Sequence, residues 1–451
     1  MVHTEALEYL YQLQRHGIRP GLERMDALLT LLHHPERQFQ SVHIAGTNGK
    51  GSTAAMAASA LVQGGYTVGL YTSPHLVDFS ERMTVSGTPI SHEEIVQLTE
   101  RICEMIRSRS PRLLEEISFF EFTTAMAFLH FSENNVDLAV VEVGMGGRFD
   151  ATNLLSPLVT GITHIGMDHQ QYLGSTLKEI AAEKAGIIKE NTPTVTSVSQ
   201  PELLSVLEEK ANAENASLIR LGHEIQLSDM ATEQPAPFST PQRFFYDGLK
   251  ERCVECRLLG RHQIENAAVA IGLLEQLGLR GFPLSDQDLL EGIRRVSWEG
   301  RLEIIQKRPL ILLDGAHNPS SAERLAAFLS NIDPERSGKH WMIIGMMSDK
   351  NIQSVLSPLL PWPDALVISR PEIKRAADPN RILGCFHRLS KGSSARKRFP
   401  SCTVRETTHE ALEEIKALIQ PGDTLVISGS LYIVGEAKAL LAGTTPSLIR
   451  G

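Results

Sequence analysis

The stretch Ser41-Val42-His43-Ile44-Ala45-Gly46-Thr47-Asn48-Gly49-Lys50-Gly51-Ser52-Thr53 decides the fold. Its first five residues read as a short buried strand, and Ala54 to Gln63, rich in Ala, Met and Leu, as the helix that follows. Strand, glycine loop and helix in that order form a phosphate cradle. Gly46, Gly49 and Gly51 let the backbone turn tightly and bring its N–H groups against phosphate oxygens, Lys50 adds a point charge, and Ser52 or Thr53 offers a hydroxyl to Mg2+. The fit to G-x-x-x-x-G-K-[ST] is imperfect: the first glycine would fall at Ile44, and Gly51 stands where a hydroxyl residue should follow Lys50. A glycine turn without phosphate chemistry is the plain alternative, so the rest of the chain must decide.

From Ser41 to about residue 188, apolar runs alternate with helical patterns, the mark of a mostly parallel sheet covered on both faces. The spacing predicts strands at 41–45, 67–72, 137–143 and 158–165, each ending in polar residues that can share one crevice at the carboxyl edge, where open α/β sheets bind ligands. Helices are predicted at 4–17 and 22–33 before this block. A mixed region follows, with strands at 194–198, 217–221, 242–246 and 252–259 and helices near 202–213 and 262–277. The segment 228–242, with Pro235, Pro237 and Pro241, reads as a surface loop. Composition shifts at Ser297-Trp298-Glu299-Gly300-Arg301, and Leu310 to Asp314 start a fresh alternation, with strands at 340–345, 365–369, 402–405 and 424–428. The expected architecture is α/β in two domains. Residues 1–297 form a P-loop ATPase domain with a mostly parallel sheet and a small β-rich subregion, and residues 298–451 a Rossmann-like α/β domain.

A chain of 451 residues is too long for one ordinary core, which supports that division. The net charge of -9 argues against nucleic-acid partners, and the basic cluster Arg396-Lys397-Arg398 lies in a Ser/Gly/Arg/Pro stretch that reads as a solvated loop. No apolar run is long enough to cross a membrane, and the N-terminus does not read as a signal peptide. Five cysteines, an odd number without a secretion signal, suit a reducing cytoplasm. Cys253-x-x-Cys256 sits on a strand, where residues three apart face opposite sides and cannot chelate one ion.

Candidate chemistry gathers at the strand ends. The run from Val136 to Val141 leads to Glu142, placed like the acid that supports a metal in P-loop enzymes, and Gly144-Met145-Gly146-Gly147 keep the next loop slim. Ser73 and His169 end neighbouring strands and can converge with Glu142. A histidine in a Mg2+ site is unusual and points to a second, less strictly oxygen site that would also accept Mn2+. Thr176 reads as an N-cap whose helix puts Leu177, Ile180, Ala181 and Lys184 on one face. A lysine there either snorkels to water, the plainer reading from spacing alone, or is buried as a neutral amine able to take up carbon dioxide as a carbamate. Asp314-Gly315-Ala316-His317-Asn318-Pro319 and Ser428-Gly429-Ser430-Leu431-Tyr432 repeat the pattern of polar groups after a strand, and can face the first domain across a cleft.

Together these motifs resemble the folylpolyglutamate synthase family, some members of which also act as dihydrofolate synthases, within the Mur ligases. The likeness runs from about residue 20 to 435. It rests on Gly-Thr-Asn-Gly-Lys-Gly-Ser at 46–52, Tyr-Thr-Ser-Pro-His-Leu at 71–76, Phe-Glu at 120–121, Glu-Val-Gly-Met-Gly-Gly-Arg at 142–148, Asp-His at 168–169, Glu-Lys-Ala-Gly-Ile at 183–187, His-Gln-x-x-Asn-Ala at 262–267, Gly-Arg at 300–301 and Asp-Gly-Ala-His-Asn-Pro at 314–319. The extra glycine after Lys50 is this family's own form.

The resemblance implies that Gly46, Thr47, Asn48, Gly49, Lys50, Gly51 and Ser52 hold the ATP phosphates, and that Asn266, Arg301, Asp314 and His317 contact the nucleotide. Ser73, Glu142 and His169, with Ser52, would bind two Mg2+ ions, and Lys184 would be carboxylated, which replaces the snorkelling reading. Lys50, Lys184 and His317 are the implied catalytic residues. Phe120, Asp150 and Arg24 resemble positions on the pteroate side. The implied reaction joins L-glutamate to a reduced folate, with ATP cleaved to ADP through an acyl phosphate, in a cytoplasmic monomer. Ser118-Phe119-Phe120-Glu121 resembles the bifunctional pattern that also accepts dihydropteroate, with Ser where Thr is commoner. The competing readings are a Mur-type ligase acting on a UDP-muramoyl precursor and a regulatory P-loop NTPase.

Overall fold

The computed structural model describes residues 1–17, 19–229, 241–332, 337–391 and 399–444. The first sheet contains β1 (Gln40–Ala45), β2 (Val68–Tyr71), β3 (Met83–Val85), β4 (Thr88–Pro89), β5 (Leu138–Glu142), β6 (Val159–Ile162), β7 (Thr194–Thr196) and β8 (Leu218–Arg220), in the order β4-β3-β2-β5-β1-β6-β7-β8. Only β3 is reversed in it, pairing antiparallel with both β2 and β4. Strands β1, β5 and β6 are almost wholly buried, as apolar runs covered on both faces require.

One face packs on helices Lys50–Gln63 and Arg261–Gly278, the other on helices His92–Arg109 and Phe119–Glu133 together with the N-terminal helices. Helix Lys50–Gln63 is lined with alanines for a reason of space. A Cβ on Gly292, in helix Asp286–Arg295, would come within 2.2 Å of the Ala60 Cα, so the two backbones touch. The predicted helix over 4–17 is an α-helix only at His3–Gln12, followed by a 3-10 turn at Leu13–His16.

A small antiparallel sheet, β9 (Gln226–Asp229), β10 (Gln242–Asp247) and β11 (Glu251–Cys256), corrects the loop reading of 228–242 at both of its ends. Pro235 and Pro237 lie outside the described residues, as do Arg396, Lys397 and Arg398. Along β11, Cys253 is exposed and Cys256 buried, so the two thiols face apart. The third sheet contains β12 (Glu303–Lys307), β13 (Leu310–Leu313), β14 (His340–Ile344), β15 (Ala365–Ile368), β16 (Ser401–Val404) and β17 (Thr424–Ser428), in the order β12-β13-β17-β14-β15-β16, with β12 the antiparallel edge. Its own two apolar clusters fill the space under its helices.

The small sheet is fixed to the helices by a charge cluster in which the Arg252–Glu275 pair is buried and Asp286 is exposed. Arg252 donates to Glu275 at 2.5 Å and to Asp286 at 3.0 Å, and the Tyr246 hydroxyl donates to Glu275 at 2.7 Å. Removing one member of a buried pair strands the other charge without a partner. Arg252→Ala should therefore lower stability by about 3 kcal/mol, seen as a drop in the urea midpoint; an unchanged midpoint would show that the pair does not hold the sheet.

Candidate active site

Strand order assembles the site. Because β1 lies between β5 and β6, and β2 lies beyond β5, four carboxyl-end segments stand side by side: Ser73 after β2, Glu142 on β5, the glycine loop after β1, and residues 163–169 after β6. The helix after the loop starts at Lys50, not at Ala54, so Gly51, Ser52 and Thr53 belong to its first turn; the Thr53 N–H already donates to the Gly49 carbonyl at 2.9 Å, and the N–H groups before it have no acceptor within the helix. Gly49 precedes it with φ +94, and a Cβ there would lie 2.3 Å from Asn266 Oδ1. Gly51 has ordinary φ and is glycine for want of room: its Cβ would stand 3.1 Å from the Trp298 ring and 3.2 Å from Glu142 Oε2. That explains the departure from the common loop. The hydroxyl lining the cleft is that of Ser52, accepting from Gln263 at 3.3 Å, while Thr53 turns inward to the Asn266 carbonyl.

A polar cleft of about 1130 Å3, open to solvent, gathers Gly46 to Ser52, Ser73, Glu142, His169, Lys184, Asn266, Arg301, Asp314 and His317. Lys50 and Lys184 both donate to the carbonyl of Gly46, at 3.1 and 2.9 Å. Lys184 does not snorkel. It is buried, and that burial, followed by the charge of Lys50, lowers its pKa to about 7. Lys50 also stands 3.8 Å from Glu142, which accepts the N–H of Ser73 at 3.2 Å. Burial raises the Glu142 carboxyl above its ordinary value, and Lys50 offsets part of the effect.

On the far side of β1, burial alone would raise Asp168. The hydrogen bond and charge of His317 and the charges of Lys350 and His169 outweigh it and hold the carboxyl far below its usual range. The ring of His169 is lowered to about 4, first by burial and then by Lys350. Asp314 accepts the N–H groups of Leu302 and Ala316, both at 3.0 Å, and His317 Nδ1 donates to the Gly315 carbonyl at 2.8 Å.

Among the described residues no three His, Cys, Asp or Glu side chains form a ready metal cage. Glu142 with the hydroxyls of Ser73 and Ser52 is an all-oxygen donor set of the kind Mg2+ takes when water and phosphate complete its shell. His169 stands apart from them, with Asp168.

The three remaining predicted residues do not line the cleft. Phe120 touches its wall, since a Cβ on Gly144 would meet the ring at 2.4 Å. Asp150 is buried and ties the glycine-rich loop to the next turn, accepting from Met145 N–H at 2.8 Å and Thr152 Oγ1 at 2.6 Å. Arg24 donates to Glu121 at 3.0 Å and to the Arg19 carbonyl at 2.7 Å. Sequence reading missed Lys350 and Arg324, a lysine in the turn after β14 and an arginine lining the cleft. A lysine just past the carboxyl end of a parallel strand is the only signal that marked the first.

A phosphate loop flanked by a buried carboxylate and facing a second α/β unit across a polar cleft defines an ATP-dependent ligase of the Mur type. The Mur ligase middle domain matches residues 44–274, and the Mur ligase glutamate ligase domain matches residues 300–431. Within that class, the chain belongs to the folylpolyglutamate synthase/dihydrofolate synthase family of ATP-dependent glutamate ligases. It is 34% identical over 445 residues to the dihydrofolate synthase/folylpolyglutamate synthase of Bacillus subtilis, covering 97% of this chain and 99% of that one. The Mycobacterium tuberculosis folylpolyglutamate synthase complexed with ADP and AMPPCP matches with a TM-score of 0.85 at 31% identity, over 98% of this chain and 100% of that one. Escherichia coli FolC in complex with DHPP and ADP matches with a TM-score of 0.84 at 27% identity, over 98% of each chain. No helix among the described residues is long and apolar enough to cross a membrane.

Gly49→Ala would force a side chain into a left-handed conformation and onto Asn266. We expect ATP affinity to fall about tenfold or more, in line with the ~1–3 kcal/mol that such backbone strain costs, measured by titration calorimetry; wild-type affinity would refute it.

Proposed function

We propose that the protein joins L-glutamate by an amide bond to a carboxylate of a reduced folate, and also to dihydropteroate, with ATP cleaved to ADP and phosphate. The observation that carries this reading is the single cleft in which the phosphate loop, Glu142, Lys184 and the Arg301 to His317 segment meet. The relatives' names, and the DHPP bound to one of them, support the acceptor class.

An acceptor carboxylate oxygen attacks the γ-phosphorus, the bond to the ADP oxygen breaks, and an acyl phosphate forms. The glutamate amine then attacks the acyl carbon, phosphate leaves, and the nitrogen gives up its proton to yield the amide. Both steps concentrate negative charge. Lys50 and the N–H groups at the start of helix Lys50–Gln63 stand ready to balance it, so fixed electrostatics rather than a protein nucleophile does most of the catalysis. Asn266, Arg301, Asp314 and His317 would hold the nucleotide, and Phe120, Asp150 and Arg24 the pteroyl side, Asp150 by fixing the loop after β5.

Glu142, Ser73 and Ser52 would hold one Mg2+ and His169 a second, each supplying positive charge beside the phosphate oxygens. The Lys184 amine, its pKa lowered to about 7 by burial, is partly neutral near pH 7 and would add to carbon dioxide: an N–C bond forms and one proton is released. We place the domain boundary at 297/298 and take the enzyme to act as a monomer.

Glutamate-dependent ADP release with tetrahydrofolate and with dihydropteroate tests the reading. No stimulation by either acceptor would overturn it, and stimulation by a UDP-muramoyl substrate would favour the other Mur chemistry. In the same assay Lys184→Ala should lose turnover by about 100-fold or more, as loss of a group stabilising transition-state charge does, with ATP affinity kept; ordinary activity would refute the carbamate.

The folded pKa of Lys184 lies below its unfolded value of 10.5, so the unfolded chain binds more protons between about 7 and 10.5. In carbon-dioxide-free buffer the cost of burying this group is full below pH 7 and fades as pH rises toward 10.5. Stability of the wild type relative to Lys184→Met should therefore rise across that window, measured as paired urea midpoints; parallel pH profiles would count against a buried amine.

A further inference from the structure

Asp168 lies in the turn after β6, yet three of its partners come from the C-terminal sheet's loops. Lys350 Nζ donates to its Oδ1, Asn318 Nδ2 donates to Oδ2 at 3.3 Å, and His317 Nε2 lies 3.5 Å from Oδ2. Asn318 reaches further. Its carboxamide exchanges two hydrogen bonds with that of Asn48 in the phosphate loop, at 2.9 and 3.3 Å. Next to Asn48, Thr47 is fastened to the Asp168 turn: its N–H donates to the His164 carbonyl at 2.7 Å, and its hydroxyl donates to the Gly166 carbonyl and accepts the Gly166 N–H, both at 3.0 Å. Ser320, two residues beyond Asn318, meets His164 Nε2 at 3.2 Å.

We infer that Asn318 is a positioning residue that clasps the two halves of the enzyme, reading the phosphate loop through Asn48 and anchoring on Asp168. Swinging the halves apart would take Lys350, Asn318 and His317 from a buried carboxylate together, so the contact favours one closed arrangement rather than a graded set. Asn48 and Thr47 sit in the loop that cradles phosphate. A nucleotide that orders this loop therefore holds Asn48 in register for Asn318, and nucleotide occupancy is coupled to closure of the C-terminal half over the cleft. The coupling needs no contact between Asn318 and either reacting group. It rests on the ligase reading only for its kinetic consequence; the clasp itself is a statement about the two halves.

Asn318 also caps helix Pro319–Leu329, its Oδ1 accepting the Ser321 N–H at 2.9 Å. Asn318→Ser keeps a capping hydroxyl while removing the bonds to Asn48 and Asp168, which separates the clasp from the helix. Full-length wild type, Asn318→Ser and Lys350→Met are compared in two ways: steady-state kinetics with ATP, glutamate and tetrahydrofolate, and small-angle X-ray scattering with and without AMPPCP. In Asn318→Ser, kcat should fall about tenfold or more, KM for glutamate should rise, and the affinity for AMPPCP should fall by about threefold or more, because a nucleotide that drives closure binds the open form less tightly. The wild type should compact on adding AMPPCP, and that compaction should be lost or reduced in both variants; no compaction of the wild type would overturn the coupling. The double variant should lose less than the product of the single effects, because both substitutions break one contact. Wild-type kcat with wild-type compaction in Asn318→Ser, or fully multiplicative effects in the double variant, would overturn the proposal. Should the wild type show no glutamate-dependent turnover, the ligase reading fails, while the scattering comparison still decides the clasp.

Discussion

Two ammonium groups share one carbonyl in this protein, and much of the site follows from that crowding. Lys50 and Lys184 both donate to Gly46 in a place from which water is largely excluded. Burial first, and the charge of Lys50 second, lower the pKa of the deeper one to about 7. Lys50 has Glu142 to face and keeps its place beside the phosphate positions, whereas Lys184 has the carbonyl and little else. A site built this way favours anions. Phosphate oxygens, or a carbamate on Lys184 itself, resolve a conflict that the protein alone leaves open.

The same crowding dictates the glycines. Gly46 must let Lys50 and Lys184 reach its oxygen, and a Cβ on it would fall 1.9 Å from the Thr163 hydroxyl. Thr163 in turn accepts no side-chain freedom: its hydroxyl donates toward the carbonyls of Ala45 and Asn48, so it braces the loop from β6. Gly51 yields its space to Trp298 and Glu142. Trp298 belongs to the segment that leads into the third sheet, so the contact that crowds a side chain at 51 also seats that connection on the phosphate helix. Loop geometry and the joint between the halves are thus one packing problem.

What the sequence revealed and what it hid divide along this line. Strand ends carrying Gly, Asp and His announce themselves because a turn after a buried strand has few other reasons to hold them, and β1, β5, β6, β13 and β17 were legible for that reason. The helix start at Lys50 was obscured because Gly51, Ser52 and Thr53 are poor helix formers, although a first turn tolerates them where their N–H groups serve a ligand. The short hairpin β3–β4 and the edge strand β12 carry too few apolar residues to stand out. Asp150, assigned by resemblance to the pteroate side, holds the Gly144 to Gly147 loop, a local role that composition does not mark. Lys350 and the partners of Asn318 were beyond reach for a different reason, although Asn318 itself stands in the Asp314 to Pro319 motif. Lys350 and Asn318 each act on Asp168 from more than a hundred residues away, and nothing in a single sequence encodes which distant turn will meet which.

That division says something about how the enzyme is organised. Residues readable from local pattern are those that hold phosphate, a requirement shared by any protein with a loop of this type. Residues hidden from local pattern join the phosphate loop to the C-terminal half, and this second requirement is what a ligase adds. Hydrolysis of ATP needs only a loop and a water; ligation needs the acyl phosphate kept from water until an amine arrives. Asp168 is placed to serve that end, since its charge is matched chiefly by donors that only the closed arrangement supplies. A buried carboxylate is a costly way to hold two halves together, and a poor one if rigidity were the aim, because an apolar contact would be stronger. It suits a joint that must form and release once per turnover, with the phosphate loop as the part that senses when to do so.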